Sequence, residues 1–358
     1  MDHSSVRLLF LANASAVHAQ RWIGYFRARG YTTRWLSLEE VPPGVEAITL
    51  PQRVPNKAAA ILLAVPRIRA EIRRFKPQLV NALFVPNYGW AGALAGFHPL
   101  VVSAWGSDVL ISPRKSALHR GRVSWTIRKA DLLFADAAVI TNCMVELGAT
   151  REKVITVPLG VDPALLNYAK SPREQSSAVV VVTNRRFETL YHNETFVEAA
   201  VQLAREGSHH LRFELIGDGP MREALIQRVH QAGMAEIIQF HPFLPADELY
   251  RTLSRAAMYV SCTESDGTSV SLLEAMALGL YPIVTGIPAN REWITDGING
   301  RLFPVGDAQA LAMVVREVAA AREAWPDALR RNREIIRARA LWPENMAVVE
   351  RAMMKLVK

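Results

Sequence analysis

The chain has 358 residues, half of them hydrophobic, which exceeds a typical single core and points to a globular protein of two domains. Its two cysteines, Cys143 and Cys262, exclude a disulfide framework and fit a reducing compartment in which they pack as small apolar residues. The net charge of +8 lies wholly in the first half: residues 1–170 carry 21 Lys and Arg against 11 Asp and Glu, and residues 171–358 carry 21 against 23.

In chain order, MDHSSVRLLFLAN opens with an acidic second residue and a short apolar run, which reads as a first strand (VRLLFLAN, 6–13) and not as a signal peptide. AQRWIGYFRARG (19–30) has helical spacing of Trp22, Ile23 and Phe26 with Gly30 as its stop, and YTTRWLSL (31–38) returns as a strand. AAAILLAVP (58–66) is the most apolar stretch and is too short to span a bilayer. It runs into the basic segment PRIRAEIRRFKP (66–77), and a second basic segment is SPRKSALHRGRVSWTIRK (112–129). Such charge suits an anionic membrane face, a nucleic acid or an acidic substrate, or is a solvated helix face. QLVNALF (78–84), PLVVSAWG (99–106), DAAVITN (136–142) and VITVPLGVD (154–162) are expected as further strands.

NYAKSPREQSSA (167–178) is polar and reads as a linker. A second strand–helix series follows: AVVVVTNRR (178–186), the helix TFVEAAVQLAREG (195–207), LRFELIGDGP (211–220), IIQFHPF (237–243), AAMYVSCTE (256–264) and YPIVTG (281–286). PENMAVVERAMMKLV (343–357) is a final amphipathic helix that can pack back on the first domain. Two blocks of alternating strand and helix imply an α/β fold of two Rossmann-like, doubly wound domains, 1–168 and 169–342, with the last helix (343–358) returned to the first. In such sheets ligands bind beyond the carboxyl ends of the strands, so the residues after each strand carry the functional information.

The densest such stretch is TESDGTSVSLLEAMALG (263–279). A turn, Asp266 to Ser269, leads into a helix that ends at Gly279. A helix N-terminus offers free N–H groups and positive potential, and Gly267 lets backbone approach a ligand closely. Ser271-x-x-Glu274 also matches a capping box, which by itself accounts for the Glu.

DGTSVSLLEAMALGLYPIVTGIPANREWITDGINGRLFPVGD (266–307) resembles the C-terminal signature of glycosyltransferase family 4, whose B-type fold sets two Rossmann-like domains facing a cleft. The resemblance implies two acids eight positions apart, here Asp266, where the family usually has Glu, and Glu274. It implies that Glu274 grips the ribose of a nucleotide sugar and Asp266 the sugar hydroxyls, roles suited to carboxylates on vicinal diols. Gly267, Thr268, Ser269 and Val270 would line the same donor site. TNRRF (183–187) resembles the loop in which the family places an Arg toward the diphosphate and a Lys five residues on; Arg186 matches the first and Tyr191 replaces the second. LIGDGP (215–220) matches the family's turn near the donor through Gly217, and FHPF (240–243) offers His241 and Phe243 near the base.

In the first half, VPLGVD (157–162) matches the family's entry to the linker. NASAVHAQRW (13–22) resembles the variant first loop with a Ser, a His and an Arg-Trp pair, so His18 is a candidate to face the cleft. AWGSD (104–108) resembles the form in which Trp105 stands at the usual His and Asp108 keeps the acid. Asp108, His18 and Asp266 are thus the catalytic candidates.

The resemblance implies a retaining transfer from a UDP- or GDP-linked sugar to a glycan or lipid-linked acceptor, with no metal and no other cofactor, in cell-surface polysaccharide or lipopolysaccharide assembly. It implies a cytoplasmic protein, with the basic first half as a peripheral contact to the inner face of the membrane. The alternative is a glycosyltransferase-like binding protein without turnover, favoured by Tyr191 and Trp105. A nucleic-acid partner is not expected, because aromatics do not interleave with the basic runs.

Overall fold

A computed structural model describes residues 4–50, 54–168 and 178–357. The chain divides into two compact units, Met1–Pro158 with Glu344–Lys358, and Leu159–Pro343. The division falls at Pro158, before the expected boundary at 168. Of the polar stretch read as a linker, residues 169–177 lie outside the described residues.

The first unit holds a seven-stranded sheet made of β1 (Arg7–Leu11), β2 (Thr32–Ser37), β3 (Ile48–Thr49), β4 (Leu79–Leu83), β5 (Leu100–Ala104), β6 (Leu132–Ala135) and β7 (Val154–Thr156). Its order is β3-β2-β1-β4-β5-β6-β7, and every pairing is parallel. The second unit holds six parallel strands, β8 (Val179–Thr183), β9 (Leu211–Ile216), β10 (Ile238–His241), β11 (Met258–Ser261), β12 (Tyr281–Thr285) and β13 (Arg301–Phe303), in the order β10-β9-β8-β11-β12-β13. Strands β4, β5 and β12 are buried along their whole length, the signature of a parallel sheet covered on both faces. In each sheet the strand order reverses once, between β1 and β4 and between β8 and β11. Those reversals open a crevice at the carboxyl ends of the strands, where ligands of this architecture bind.

One expected strand is a helix. DAAVITN (136–142) follows β6 and belongs to the helix Ala138–Glu146, whose Ile140, Thr141 and Met144 are buried at helical spacing. A short apolar run fits both periods, and the buried strand just before it leaves this segment the helical place. AAAILLAVP lies in the helix Lys57–Phe75, which is capped by the Asn56 side chain and carries Pro66 within it. Among the described residues no helix is long and apolar enough to cross a membrane.

The last helix, Trp342–Met354, is fixed to the first unit by polar contacts. Glu350 accepts hydrogen bonds from the hydroxyls of Tyr25 and Tyr31, both at 2.8 Å, and pairs with Arg29 at 3.4 Å.

Candidate functional site

In the second unit the loops after the neighbouring strands β8 and β11 are built against one another. The loop after β8 is pressed onto the turn Gly217–Gly219 after β9. A Cβ on Gly217 would lie 2.6 Å from the carbonyl oxygen of Arg185, and one on Gly219 would lie 2.6 Å from that of Phe187. Both glycines hold positive φ, +149° and +154°, so the close approach and the backbone shape select the same residue type. The Phe187 N–H donates to the Asp218 carbonyl at 2.9 Å, and the Met221 N–H to the Phe187 carbonyl at 3.0 Å.

That arrangement decides which arginine of TNRRF turns inward. Arg185 is buried, with its side chain 9% exposed, and donates to Asp266 Oδ2 at 2.6 Å and to Ser269 Oγ at 2.7 Å. Its guanidinium carbon sits 4.3 Å from the ring centre of Tyr191. Arg186, the sequence candidate, points to solvent with its side chain 71% exposed and pairs with Glu188 at 2.8 Å. The buried cation of this loop is therefore Arg185.

The turn after β11 leads into the helix Val270–Leu278. Its N-cap is Ser269, whose Oγ accepts from the Leu272 N–H at 3.3 Å. The capping box expected from Ser271 does not form: the Ser271 hydroxyl donates to the Asn184 carbonyl at 3.3 Å. Glu274 lies half-buried one turn in, where Oε1 accepts from the Tyr250 hydroxyl at 3.0 Å. Gly267, Thr268 and Ser269 are buried within the turn, and Val270 begins the helix half-buried. Asp266, Gly267, Thr268, Ser269, Val270 and Glu274 are thus gathered at the β8/β11 reversal.

His241 ends β10, and its carbonyl accepts the Gly217 N–H at 3.2 Å. Its ring lies 3.5 Å from Glu214, whose carboxyl is raised by burial against the opposing pull of His241 and Arg255. Phe243 is 73% exposed. Glu264, outside the motif, is exposed and lies 3.1 Å from His192.

In the first unit the loops after β1, β4 and β5 carry the corresponding residues. Asp108 has no exposed surface. Its Oδ1 accepts from the Trp105 and Gly106 N–H groups at 3.2 and 3.0 Å, and its Oδ2 from the Val85 N–H at 3.2 Å. Burial pushes its carboxyl up to about 6, against the opposing pull of those amides. The carboxylate read as catalytic from AWGSD is thus enclosed by backbone amides, and it ties its own loop to the turn after β4. What it positions is Trp105, which is half-buried. The exposed His18 ring sits edge-on to Trp105 at 6.1 Å, in the first turn of the helix Val17–Ala28, and Trp22 packs on Trp105 at 6.1 Å. Trp22 donates to Asn81 at 2.9 Å, inside β4. Among the described residues no cluster of three or more His, Cys, Asp or Glu has the arrangement of a metal site.

Three partners were not legible as site residues: Arg185, Tyr250 and the ring face of Tyr191. The Arg-Arg pair was the one available signal for the first. Tyr250 lies on the helix Ala246–Arg255, with no motif around it.

The profile described as "Glycosyl transferases group 1" matches residues 167–334, and that described as "Glycosyl transferase 4-like" matches residues 7–137. The chain belongs to the group 1 glycosyltransferases. Among curated relatives of this family it is 26% identical over 250 residues to the amylovoran biosynthesis glycosyltransferase AmsK of Erwinia amylovora, covering 65% of this chain and 60% of that one. It is 28% identical over 254 residues to the putative colanic acid biosynthesis glycosyltransferase WcaL of Salmonella typhimurium, covering 66% and 61%. The matched region thus spans about three fifths of the length of these relatives. The family's fold is shared with Anabaena HepE, solved in complex with UDP and glucose, at a TM-score of 0.79 and 15% identity over 98% of this chain and 100% of that one.

Proposed function

We propose that the protein transfers a sugar from a nucleoside-diphosphate sugar to a glycan or lipid-linked acceptor, with retention of configuration, in the assembly of a cell-surface polysaccharide. The observation that carries this reading is the Glu274–Tyr250 pair, one turn into a helix whose N-terminus opens at the β8/β11 reversal. A carboxylate oriented by a phenol is suited to a ribose diol. The amides at the start of the helix Val270–Leu278 and the backbone of Gly267 then face the diphosphate, and Asp266 faces the sugar. Those dipoles supply the stabilisation of the leaving group, so the reading requires no metal ion. In the transfer the bond from C1 to the diphosphate oxygen breaks and a bond to the acceptor oxygen forms on the same face. The acceptor proton passes to the departing phosphate. The relatives named for amylovoran and colanic acid biosynthesis support the polysaccharide context, and the UDP and glucose in HepE support a UDP-linked donor.

The first unit is assigned to the acceptor, with Trp105 and His18 toward it. Its basic helices also present Leu62, Leu63 and Leu118, which are 52%, 61% and 81% exposed, among arginines and lysines. Apolar tips within positive charge fit a peripheral contact with an anionic membrane at the cytoplasmic face.

The test is thermal stabilisation by UDP, GDP and their sugars, on wild type and Glu274→Ala. A selective rise that the variant loses supports the donor site. No rise with any nucleotide would favour the alternative of a binding protein without turnover.

A further inference from the structure

Arg185 is held on three sides, by two groups of the β11 loop and one of its own. Its terminal nitrogens donate to Asp266 and Ser269, and its planar face rests 4.3 Å from the centre of the Tyr191 ring. Tyr191 ends the short turn Thr189–Tyr191, and that turn is fastened by the β11 loop itself. The Leu190 carbonyl accepts from the Glu264 N–H at 3.1 Å and from the Thr263 hydroxyl at 3.2 Å. The contacts therefore form a closed circuit, from the β11 loop through Leu190, Tyr191 and Arg185 back to Asp266 and Ser269. Ser269 is also the cap of the helix Val270–Leu278, so the same guanidinium touches both the acid of the turn and the hydroxyl that starts the helix.

Both terminal nitrogens of Arg185 are engaged, and Nε, which has no partner, is enclosed with the rest of a side chain 9% exposed. An arginine that clamps a diphosphate presents its fork to the ligand, and this one turns it into the loops. We propose that Arg185 and Tyr191 are a positioning pair: they fix the Asp266 carboxylate and the Ser269 hydroxyl, and so act on the sugar end of the donor through Asp266, with no direct contact to its phosphates. The assignment rests on the donor reading given above. A desolvated cation over a tyrosine face is worth about tenfold or more in an equilibrium constant.

The test is calorimetric titration of UDP, UDP-glucose, GDP and GDP-mannose into wild type, Tyr191→Leu and Tyr191→Phe. The leucine variant removes the ring face and the phenylalanine variant restores it. The expected result is that Tyr191→Leu binds the bare diphosphate within about twofold of wild type and loses about tenfold toward the matching sugar nucleotide, with Tyr191→Phe recovering most of the loss. A merely structural role would move both ligands together. Equal losses for the diphosphate and its sugar, or no loss for either, would overturn the proposal. If wild type binds none of the four, the donor reading is what fails, and the pair is then judged on stability. Melting temperatures of Tyr191→Leu, Asp266→Asn and the double variant should be non-additive, because Arg185 is shared between the two positions. Strict additivity would overturn the circuit.

Discussion

The carboxylate of Asp108 reaches the Val85 N–H at 3.2 Å, so one buried side chain ties the loop after β5 to the turn after β4. That turn is strained: Phe84 holds φ at +84°, where a side chain other than glycine is rarely found. Such a conformation costs roughly 1–3 kcal/mol and persists only when its surroundings over-determine it. Asp108 supplies part of that constraint, and in doing so presents Trp105.

The first prediction follows from the same carboxyl. Its folded value of about 6 lies above the unfolded value of about 3.9, so the folded state holds the extra proton between them. Its contribution to stability is therefore greatest below about pH 4 and is lost as pH rises through 6, on the order of 3 kcal/mol in all. Asp108→Asn cannot titrate. The lead of wild type over this variant in melting temperature should shrink steadily from pH 4 to pH 7. A lead that stays constant over that range would show that the buried carboxyl does not titrate as its surroundings require.

The second prediction concerns the two arginines of TNRRF. Arg186 is 71% exposed and paired only with a surface glutamate, so Arg186→Ala should change stability by no more than about 0.5 kcal/mol. Arg185→Ala leaves Asp266 partly buried without its cation and removes the contact to the helix cap. It should cost about 3 kcal/mol or more. Chemical unfolding of both variants separates them, and similar losses would mean that the inward arginine has been misplaced.

How much of this was legible in the sequence differs between the units. The order of strand, turn and helix from 178 to 307 placed Asp266 and Glu274 beyond a strand end, because that geometry follows from local pattern. The choice between Arg185 and Arg186 did not follow. It depends on Gly217 and Gly219 pressing the loop from a different strand, a contact that no period records. The cap moved from Ser271 to Ser269 for a similar reason. Both hydroxyls stand at the helix start, and only the Asn184 carbonyl from the β8 loop shows which is already engaged. The position of Asp108 after a strand is visible in sequence, whereas its complete burial under backbone amides is a tertiary fact.

The third prediction tests that interlock. Gly217→Ala and Gly219→Ala place a Cβ against carbonyl oxygens of the β8 loop at a backbone conformation that alanine resists. Each should destabilise the protein by about 2 kcal/mol or more. Gly233, at φ +70° in the ordinary left-handed region and facing open space, is the milder reference: Gly233→Ala has neither the collision nor the extreme φ and should cost less. Losses at Gly217 and Gly219 no larger than at Gly233 would remove the argument that the loop rests on this turn.

The fourth prediction concerns Glu350, a carboxylate of the first unit that shifts in the other direction. Burial alone would raise its carboxyl, but the hydroxyls of Tyr31 and Tyr25 and the charge of Arg29 outweigh that and hold it below its ordinary value. The phenol of Tyr25 is pushed in return up to about 12, by burial first and then by its hydrogen bond to Glu350. The sign is opposite to that of Asp108. Stability from Glu350 is present above the unfolded value of about 4.3 and is lost as pH falls through the lower folded value. Glu350→Ala removes the acceptor of two phenols and should cost about 2–3 kcal/mol near neutral pH, with the deficit shrinking below pH 4. Melting curves of the variant at pH 7 and pH 3.5 decide the point. An unchanged deficit at the lower pH would show that the helix Trp342–Met354 is held by its apolar face, through Met346, Val349 and Met353, and not by the charge on Glu350.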